Sequence, residues 1–244
     1  MKRSVQTVED VLRLMDTLFA PEADRWTSRG AQWWDTFYEE RERGVPFFRT
    51  APDESLVQWH ADGRLALRPG ARVLDLGCGP GRNAVWLAQQ GCEVDALDLS
   101  AEALRWGTER AAQAGVEVSF VQTSIFDWPA PEVPYDLVHD SGCFHHLPPH
   151  RRVSYRALLE RALAPNGVFG LSCFAAGAMG SEEPDEDLYR AGRLSGGLAY
   201  SAEELRSIFG WLDEVELRRM QEHPADGAVF GEPFLWVGLF RRSG

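Results

Sequence analysis

The sequence lacks the features of a protein held together by disulfides or anchored in a membrane. None of its four cysteines forms a Cys-x-x-Cys pair, and most lie in apolar runs, so we expect reduced core residues. No apolar run approaches the roughly 18 residues that a membrane helix needs. Residues 1–6 do not resemble the start of a secretory signal. We therefore expect a cytoplasmic protein without membrane association.

Positive charge is also scarce, and so are repeats and low-complexity tracts. Lysine and arginine number 25 against 37 aspartates and glutamates, which gives a formal net charge of −12 at pH 7. An acidic field repels nucleic-acid phosphates, and the pairs Arg151-Arg152 and Arg241-Arg242 are too short to form a basic stripe. We therefore expect a small-molecule partner and no nucleic acid, and no obligate protein partner is evident.

The 244 residues, 44% of them hydrophobic, suffice for a single domain over residues 1–244. Residues 1–66 are predicted to form a helical cap, whereas strands and helices alternate through residues 67–244. This alternation predicts an α/β fold with a doubly wound, mostly parallel sheet covered on both faces. The predicted strands are 72–76, 93–97, 116–121, 135–140, 168–174, 214–220 and 234–240; the predicted helices are 5–19, 32–43, one that opens at 52–54, 82–90, 101–114, 151–164 and 202–209.

Residues 175–200 are the exception to this alternation. They are rich in glycine, serine and acidic residues and show no clear apolar period. So long a connection within a compact domain is often functional, and we expect a lid insertion that covers the substrate. Ligands of parallel sheets bind at the carboxyl ends of the strands. The loops that follow residues 76, 97, 121 and 140 are therefore expected to carry the chemistry.

A glycine-rich turn follows the first predicted strand, at residues 75–83. Glycine permits a tight turn and close approach of a ligand, and the helix that follows offers free N–H groups. Asp98 ends the next predicted strand, where a carboxylate can accept hydrogen bonds from both hydroxyls of a ribose. Together these features indicate a nucleotide-cofactor site.

The spacing of this turn favours one cofactor. Its glycines follow the pattern G-x-G-x-G, and position 82 is arginine, whereas a dinucleotide fingerprint requires G-x-G-x-x-G/A. Asp75 is also foreign to that fingerprint, but it suits S-adenosylmethionine, which has an amino-acid end where NAD has phosphates. An NAD(P)-dependent oxidoreductase and a non-catalytic or regulatory S-adenosylmethionine-binding protein are the alternative interpretations.

The chain resembles the class I S-adenosylmethionine-dependent methyltransferases in residues 75–81, in Asp98 and in the turn at residues 165–167. Within them it is similar to the small-molecule branch of thiopurine, thiol and halide methyltransferases and tellurite-resistance proteins, which carry an aromatic segment before the glycine motif. Residues 33–38 and 46–48 form such a segment here. The resemblance implies a seven-stranded Rossmann-like sheet with an antiparallel last strand, S-adenosylmethionine as methyl donor and S-adenosylhomocysteine as product.

Family members often place an acidic residue after the third strand to bind adenine, and here Ser124 stands at that position. We expect adenine to contact Ser124 and Ile125, with a displaced Asp127 as the alternative. The predicted cofactor-binding residues are Trp34, Tyr38, Asp75, Gly77, Cys78, Gly79, Gly81, Asn83, Asp98, Leu99, Ser124, Ile125, Asp140 and Ser141.

The loop after the fourth predicted strand supplies the candidate catalytic residues, Asp140 and His145. Imidazole titrates near neutral pH, so His145 or His146 is a candidate general base. Adjacent side chains seldom face one pocket, so we expect one of the two to point in, and we choose His145. Pro148 and Pro149 interrupt the helical spacing between His146 and His150, so no metal site is expected. The predicted reaction is in-line methyl transfer to a nitrogen, oxygen, sulfur or softer nucleophile of a small molecule.

Overall fold

The structure, a computed structural model, describes residues 5–244, so residues 1–4 of the predicted cap and N-terminal segment lie outside the described residues. Helices precede the first strand, strands and helices then mostly alternate, and two strands end the fold. The helices are α1 Val8–Asp16, α2 Ala31–Glu39, α3 Glu54–Ala61, α4 Arg82–Gln89, α5 Ala101–Ala114, α6 Arg151–Ala162, α7 Asp185–Ala191 and α8 Ala202–Phe209. The strands are β1 Arg72–Leu76, β2 Glu93–Asp98, β3 Ser119–Gln122, β4 Tyr135–Ser141, β5 Leu163–Phe174, β6 Asp213–Arg219 and β7 Leu235–Arg241.

The seven strands form one sheet in the order β3-β2-β1-β4-β5-β7-β6. Strands β1 to β5 pair in parallel, whereas β7 runs antiparallel to both β5 and β6. The predicted seven-stranded, mostly parallel sheet with an antiparallel last strand is therefore confirmed. The strand order reverses between β1 and β4, and ligands of such sheets bind in the crevice outside the carboxyl ends at this reversal.

Local sequence signals define the helices around this crevice. Ser100 accepts a hydrogen bond from the Ala103 N–H at the start of α5, and Gly115 ends that helix in the left-handed conformation, with φ of 67°. A capping box between Ser201 and Glu204 starts α8. Both helices have the bounds predicted from the sequence, because caps are local signals.

Apolar side chains cover both faces of the sheet. On one face, Leu158 of α6 and Phe209 of α8 belong to the same core cluster as Phe169 of β5. On the other face, Trp59 of α3 and Leu87 of α4 belong to a second cluster with residues of β1, β2 and β7. Burial on both faces explains why β1 and β5 carry consecutive apolar residues in the sequence.

Residues 175–200 pack onto the core. Leu188, Leu194 and Leu198 are at most 5% exposed and belong to the cluster that includes α6 and α8. Helix α7 lies within this segment, where the sequence predicts no helix. It was missed because its seven residues bury one apolar side chain, Leu188, which is too few to produce a period. That this segment covers a substrate stays a prediction.

Several predicted boundaries differ from the structure: α2 ends at Glu39 rather than at residue 43, and β3 begins at Ser119 rather than at residue 116. Helix α1 ends at Asp16, before residue 19, and β5 begins at Leu163, before the predicted turn at residues 165–167. Asn166 has a left-handed φ of 62° inside β5, where the pairing with β4 shifts register, so the turn forms an irregularity within the strand. Within residues 5–244, no helix combines the length and the apolar character needed to cross a bilayer.

Candidate functional site

The glycine-rich turn connects β1 to α4 at the carboxyl edge of the sheet. Gly77, Gly79 and Gly81 have left-handed backbones with φ of 62°, 53° and 72°, a conformation that favours glycine. Their surroundings also exclude side chains. A Cβ on Gly77 would stand 2.7 Å from the Cβ of Cys143, and one on Gly79 would stand 3.0 Å from the Tyr38 hydroxyl. The turn therefore forms a glycine cradle against which Cys143 and Tyr38 pack closely, and Gly77 and Gly79 border a small cavity.

Asp98 ends β2 beside this cradle, and two backbone donors orient it. Its Oδ2 accepts a hydrogen bond from the Gly79 N–H and its Oδ1 accepts one from the Ser100 N–H, both at 2.8 Å. Burial raises the pKa of Asp98 to about 6, against the effect of these hydrogen bonds. Each carboxylate oxygen has a second lone pair. Asp98, which lines the main cavity, can therefore accept further hydrogen bonds from a ligand.

Asp75 lies below the turn in a buried charged network. Its Oδ1 is 3.2 Å from Nδ1 of His139, and Nε2 of the same imidazole is 3.7 Å from Asp53. Burial opposes protonation of this imidazole, but the two carboxylates together raise the pKa of His139. The other Asp75 oxygen, Oδ2, has no hydrogen-bond donor among residues 5–244. Because an unpaired buried oxygen is costly, Asp75 is suited to a donor from a ligand in the small cavity of about 30 Å³ that it borders.

Arg82 places a cation at the floor of the site. Its Nη1 is 2.5 Å from Oδ1 of Asp53, and its Nη2 donates to the Ser141 hydroxyl at 2.9 Å. Its guanidinium also lies over the Phe230 ring, 4.0 Å from the centroid. The amide oxygen of Asn83 accepts the Asp53 N–H at 2.9 Å, so the first two residues of α4 hold the segment before α3.

The main cavity has a volume of about 440 Å³ at the carboxyl edge of the sheet, which is within the range of small-ligand sites. The structure brings most of the predicted site residues to its lining. Those in the main cavity are Trp34, Tyr38, Gly77, Asp98, Leu99, Ile125, Ser141 and His145, and the adjoining small cavity adds Asp75, Cys78, Gly79 and Asn83. Gly81 lines neither cavity, because it packs against Phe120 of β3.

The aromatic segment of residues 33–38 and 46–48 forms one wall of the main cavity. Trp34 stacks on Tyr38 with centroids 6.0 Å apart and donates its indole N–H to the Arg25 carbonyl. Tyr38 also stacks on the buried Phe48. Part of this segment therefore packs against α5 in a small hydrophobic cluster, and part of it lines the cavity.

Ser124 lies outside the cavity lining, contrary to its predicted contact with adenine. Its hydroxyl donates to the Trp26 carbonyl at 3.1 Å, and the side chain is therefore used to hold the N-terminal segment. Thr123 and Ile125 do line the cavity. The alternative residue, Asp127, has a side chain that is 52% exposed and does not line the cavity.

Asp140 is a loop-positioning residue here, which corrects its predicted catalytic and cofactor contacts. It is fully buried and lines neither cavity. Its Oδ1 accepts hydrogen bonds from the N–H groups of residues 142–144, and its Oδ2 accepts one from the Tyr155 hydroxyl at 2.7 Å. Burial raises its pKa to about 6. The carboxylate thereby shapes the loop that presents His145.

Both histidines of this loop line the main cavity, which corrects the prediction that only one faces it. They lie in a single 3-10 turn, Phe144–His146, that curves along the cavity wall. His145 stacks on Phe174 with centroids 3.6 Å apart, and His146 meets the edge of Trp34 at 5.1 Å. Burial lowers the pKa of His145 well below its usual value and that of His146 to about 4. Both imidazoles are therefore neutral at neutral pH.

The site offers neither an ionised thiol nor, among residues 5–244, a cluster of metal ligands. Cys143 lines the cavity, but burial raises its pKa well above the usual value, so the thiol is protonated. Among residues 5–244, no group of three or more histidine, cysteine, aspartate or glutamate side chains is arranged to hold a metal ion.

The sequence interpretation missed several residues of the site. Asp53 was assigned to the opening of α3, yet its side chain makes no cap hydrogen bond there and contacts Arg82 instead. Phe230 lies in the connection from β6 to β7, which carries no motif. The position of Arg82 directly after the glycine turn could have indicated a site residue. Its partners, Asp53 and Ser141, could not be predicted because they are distant in sequence.

Comparison with known proteins shows that the central part of the chain is similar to methyltransferases. A family described as a methyltransferase domain matches residues 73–167. An uncharacterized methyltransferase of Synechocystis sp. is 40% identical over 107 residues, which are 44% of this chain and 49% of that protein. The ubiquinone biosynthesis O-methyltransferase of Proteus mirabilis is 32% identical over 130 residues, 52% of this chain and 49% of its own length. The chain spans about half the length of the curated relatives it matches.

Solved structures show the same fold. The magnesium protoporphyrin IX methyltransferase of Synechocystis PCC 6803, solved with bound S-adenosylhomocysteine, superposes with a TM-score of 0.62. The match covers 87% of this chain and 97% of that chain at 19% sequence identity. At this identity the likeness concerns the fold alone. The structural match covers most of the chain and so reaches beyond residues 73–167.

Proposed function

We propose that this chain, which carries a class I methyltransferase domain dependent on S-adenosylmethionine, transfers a methyl group to a small molecule. The observation that carries the proposal is the pair of carboxylates on either side of the glycine cradle. Asp98 retains free lone pairs at the main cavity, and Asp75 has an unpaired oxygen beside the small one. These are the hydrogen-bond acceptors required by a ligand that has vicinal hydroxyls at one end and an ammonium group at the other.

The residues present fit the cofactor along its whole length. Asp98 would accept hydrogen bonds from the ribose hydroxyls, and Leu99 and Ile125 would enclose the adenine between the loops after β2 and β3. Asp75 would receive the ammonium group, and the backbone of Gly77, which lines both cavities, would lie beside the amino-acid end. The cofactor supplies an electrophilic methyl group on a cationic sulfur.

The protein's part in such a transfer is to align the acceptor with this methyl group and to exclude water. Aromatic faces stabilise a nearby cation, and the wall with Trp34 and Tyr38 provides them. The main cavity is lined mostly by apolar side chains, so water would have few partners there. The cavity of about 440 Å³ would hold the ribose and adenine as well, and the space that remains favours a small molecule as acceptor. The names of the relatives, such as the ubiquinone methyltransferase, agree with this class.

Residues 175–200 are proposed to border the acceptor as a lid. Met179 and Gly196 line the main cavity. The Leu198 N–H donates to the His145 carbonyl at 2.7 Å, which ties the segment to the loop after β4. Residues 5–66 are proposed to form a cap over residues 67–244 within a single domain. The contact between α2 and α5 supports this arrangement.

Turnover tests the enzymatic proposal. Purified protein is incubated with S-adenosylmethionine and a panel of small aromatic and aliphatic nucleophiles, and S-adenosylhomocysteine is quantified. We expect acceptor-dependent formation of S-adenosylhomocysteine, with the methylated acceptor in equal amount. Tight cofactor binding without turnover of any acceptor would instead favour a regulatory binding protein. Binding of NADH in place of S-adenosylhomocysteine would favour an oxidoreductase.

Cofactor affinity is expected to fall in mild acid. Asp98 has a pKa of about 6 without ligand, and hydrogen bonds from ribose favour its ionised form, so binding lowers this pKa. Affinity is therefore full above pH 6 and decreases as pH falls below 6, by about tenfold for each pH unit once Asp98 is protonated. Calorimetric titration with S-adenosylhomocysteine at pH 7.5 and pH 5.0 measures the change. The variant Asp98→Asn should bind weakly at both pH values, and a wild-type pH dependence retained in this variant would contradict the assignment.

A further inference from the structure

We propose that the acceptor is a planar aromatic compound whose nucleophile is a ring-bound hydroxyl in its ionised form, and that His145 recognises this oxygen as a hydrogen-bond donor. This inference rests on the proposed methyl transfer and names the substrate class of the same site. It changes the role of His145 from a candidate base to a residue that determines specificity.

The sheet order separates the two ends of the main cavity. On one side of β1 lie β2 and β3, whose ends carry Asp98, Leu99 and Ile125. On the other side of β4 lie β5 and β7, which bring Phe174 and Leu235 to the same edge. Since the first group suits the adenosine, the acceptor end lies over β4, β5 and β7.

Aromatic side chains dominate the acceptor end. Phe174, Phe230 and Phe234 line it, together with Met179 from residues 175–200. Aromatic rings and methionine sulfur both make favourable contacts with a flat aromatic ligand. Phe230 is fixed by the Arg82 guanidinium that lies over its face. The lining therefore favours a planar ring over an aliphatic acceptor.

The charges at this end favour an anionic group. Within the described residues, Asp98 is the carboxylate that lines the main cavity, and it lies at the adenosine end. Arg82 lines both cavities, and its guanidinium lies over Phe230 at the acceptor end, while its partner Asp53 is fully buried. A cationic amine would lose its hydration there without a carboxylate partner, which is costly. A phenolate would instead meet a guanidinium.

The hydrogen bonds of His145 decide which ring nitrogen can face the acceptor as a donor. Its Nδ1 accepts the Phe174 N–H at 3.3 Å, so the neutral imidazole carries its proton on Nε2. Nε2 has no hydrogen-bond partner among residues 5–244. The stack on Phe174, with ring centroids 3.6 Å apart, hinders rotation of this ring. The neutral ring thus offers an N–H to the acceptor and no free lone pair for its proton.

The transfer then requires no base from the protein. The acceptor hydroxyl releases its proton to water before the transfer, and the phenolate oxygen uses its own electron pair to form the new O–CH₃ bond. The electrons of the broken C–S bond stay on sulfur, which leaves a neutral thioether. The His145 N–H and Arg82 hold the phenolate oxygen in line while its charge disappears.

Binding of matched probes to the protein saturated with S-adenosylhomocysteine tests the substrate class. At pH 8, we expect 4-nitrophenol, which is then mostly ionised, to bind at least tenfold more tightly than benzylamine or cyclohexanol. Equal affinity of benzylamine, equal affinity of cyclohexanol, or no binding of 4-nitrophenol would overturn the class. Because saturation with S-adenosylhomocysteine is measured first, these outcomes are distinct from a failure of the protein to bind the cofactor, which would overturn the proposed function as well.

Three variants test the donor role. In His145→Gln the amide nitrogen reaches the position of Nε2 and donates but takes up no proton, whereas His145→Asn matches only Nδ1, and His145→Phe keeps only the stack on Phe174. We expect His145→Gln to retain 4-nitrophenolate affinity within about threefold, and the other two variants to lose at least tenfold. Unchanged affinity for S-adenosylhomocysteine verifies the fold of each variant. Equal losses in all three variants, or none in His145→Phe, would overturn the role.

Discussion

Replacement of Asp98 by alanine is expected to weaken S-adenosylhomocysteine binding by at least tenfold. The carboxylate is held by the N–H groups of Gly79 and Ser100, both at 2.8 Å, and faces the cavity in an environment that excludes most water. A hydrogen bond to a charged group contributes about 1.5–3 kcal/mol, and two from vicinal hydroxyls would act together. Isothermal titration calorimetry of the wild type and of Asp98→Ala measures the loss.

Asp127→Ala is the matched control for this experiment. It removes a carboxylate from the loop after β3, but that side chain is exposed and lies outside the cavity lining. We expect its affinity to equal that of the wild type. An unchanged affinity in Asp98→Ala would contradict the ribose assignment. A loss in Asp127→Ala would instead restore the displaced adenine contact that the sequence left as an alternative.

The variant Asp16→Ala is expected to lower the free energy of unfolding by about 3–5 kcal/mol, the usual cost of removing one partner of a buried ion pair. Asp16 ends α1 and is 4% exposed. Its carboxylate forms an ion pair with the Arg151 guanidinium, lies 2.9 Å from Nε2 of His150, and accepts the Trp26 indole N–H at 2.7 Å. These contacts hold the pKa of Asp16 at about 2 despite its burial. Its removal leaves a buried cation without its main partner.

Chemical denaturation followed by tryptophan fluorescence measures this effect. Glu9→Ala is the control, because Glu9 pairs with the same Arg151 but is 43% exposed, and exposed pairs contribute about 0–1 kcal/mol. Asp16→Ala should therefore have a much lower denaturation midpoint than Glu9→Ala. Equal midpoints would show that the buried network does not hold α1 on α6.

The sequence predicts those parts of the fold and site that depend on local signals. The glycine turn, Asp98 and the cap at Ser100 were located because a few consecutive residues determine each of them. The same holds for part of the sheet, since β1 and β5 contain apolar runs next to turn residues. In these segments local preference and the final packing agree.

The parts that the sequence could not predict depend on contacts between distant residues. Ser124 matches a family position, but its hydroxyl bonds to Trp26, which is 98 positions earlier. Asp140 is indistinguishable in sequence from a catalytic acid, and only burial and the Tyr155 hydroxyl reveal its role. His145 could be taken as a base until the Phe174 N–H fixed its tautomer. In each case a neighbour in space, invisible in the motif, determines the chemistry.

Calorimetric titration of the wild-type protein with S-adenosylhomocysteine at pH 7.5 tests the cofactor site most directly. The paired carboxylates predict saturable binding with one site per chain, and NADH should neither bind nor compete. Absence of binding, or displacement of S-adenosylhomocysteine by NADH, would contradict the assignment of Asp75 and Asp98 to the two ends of this cofactor.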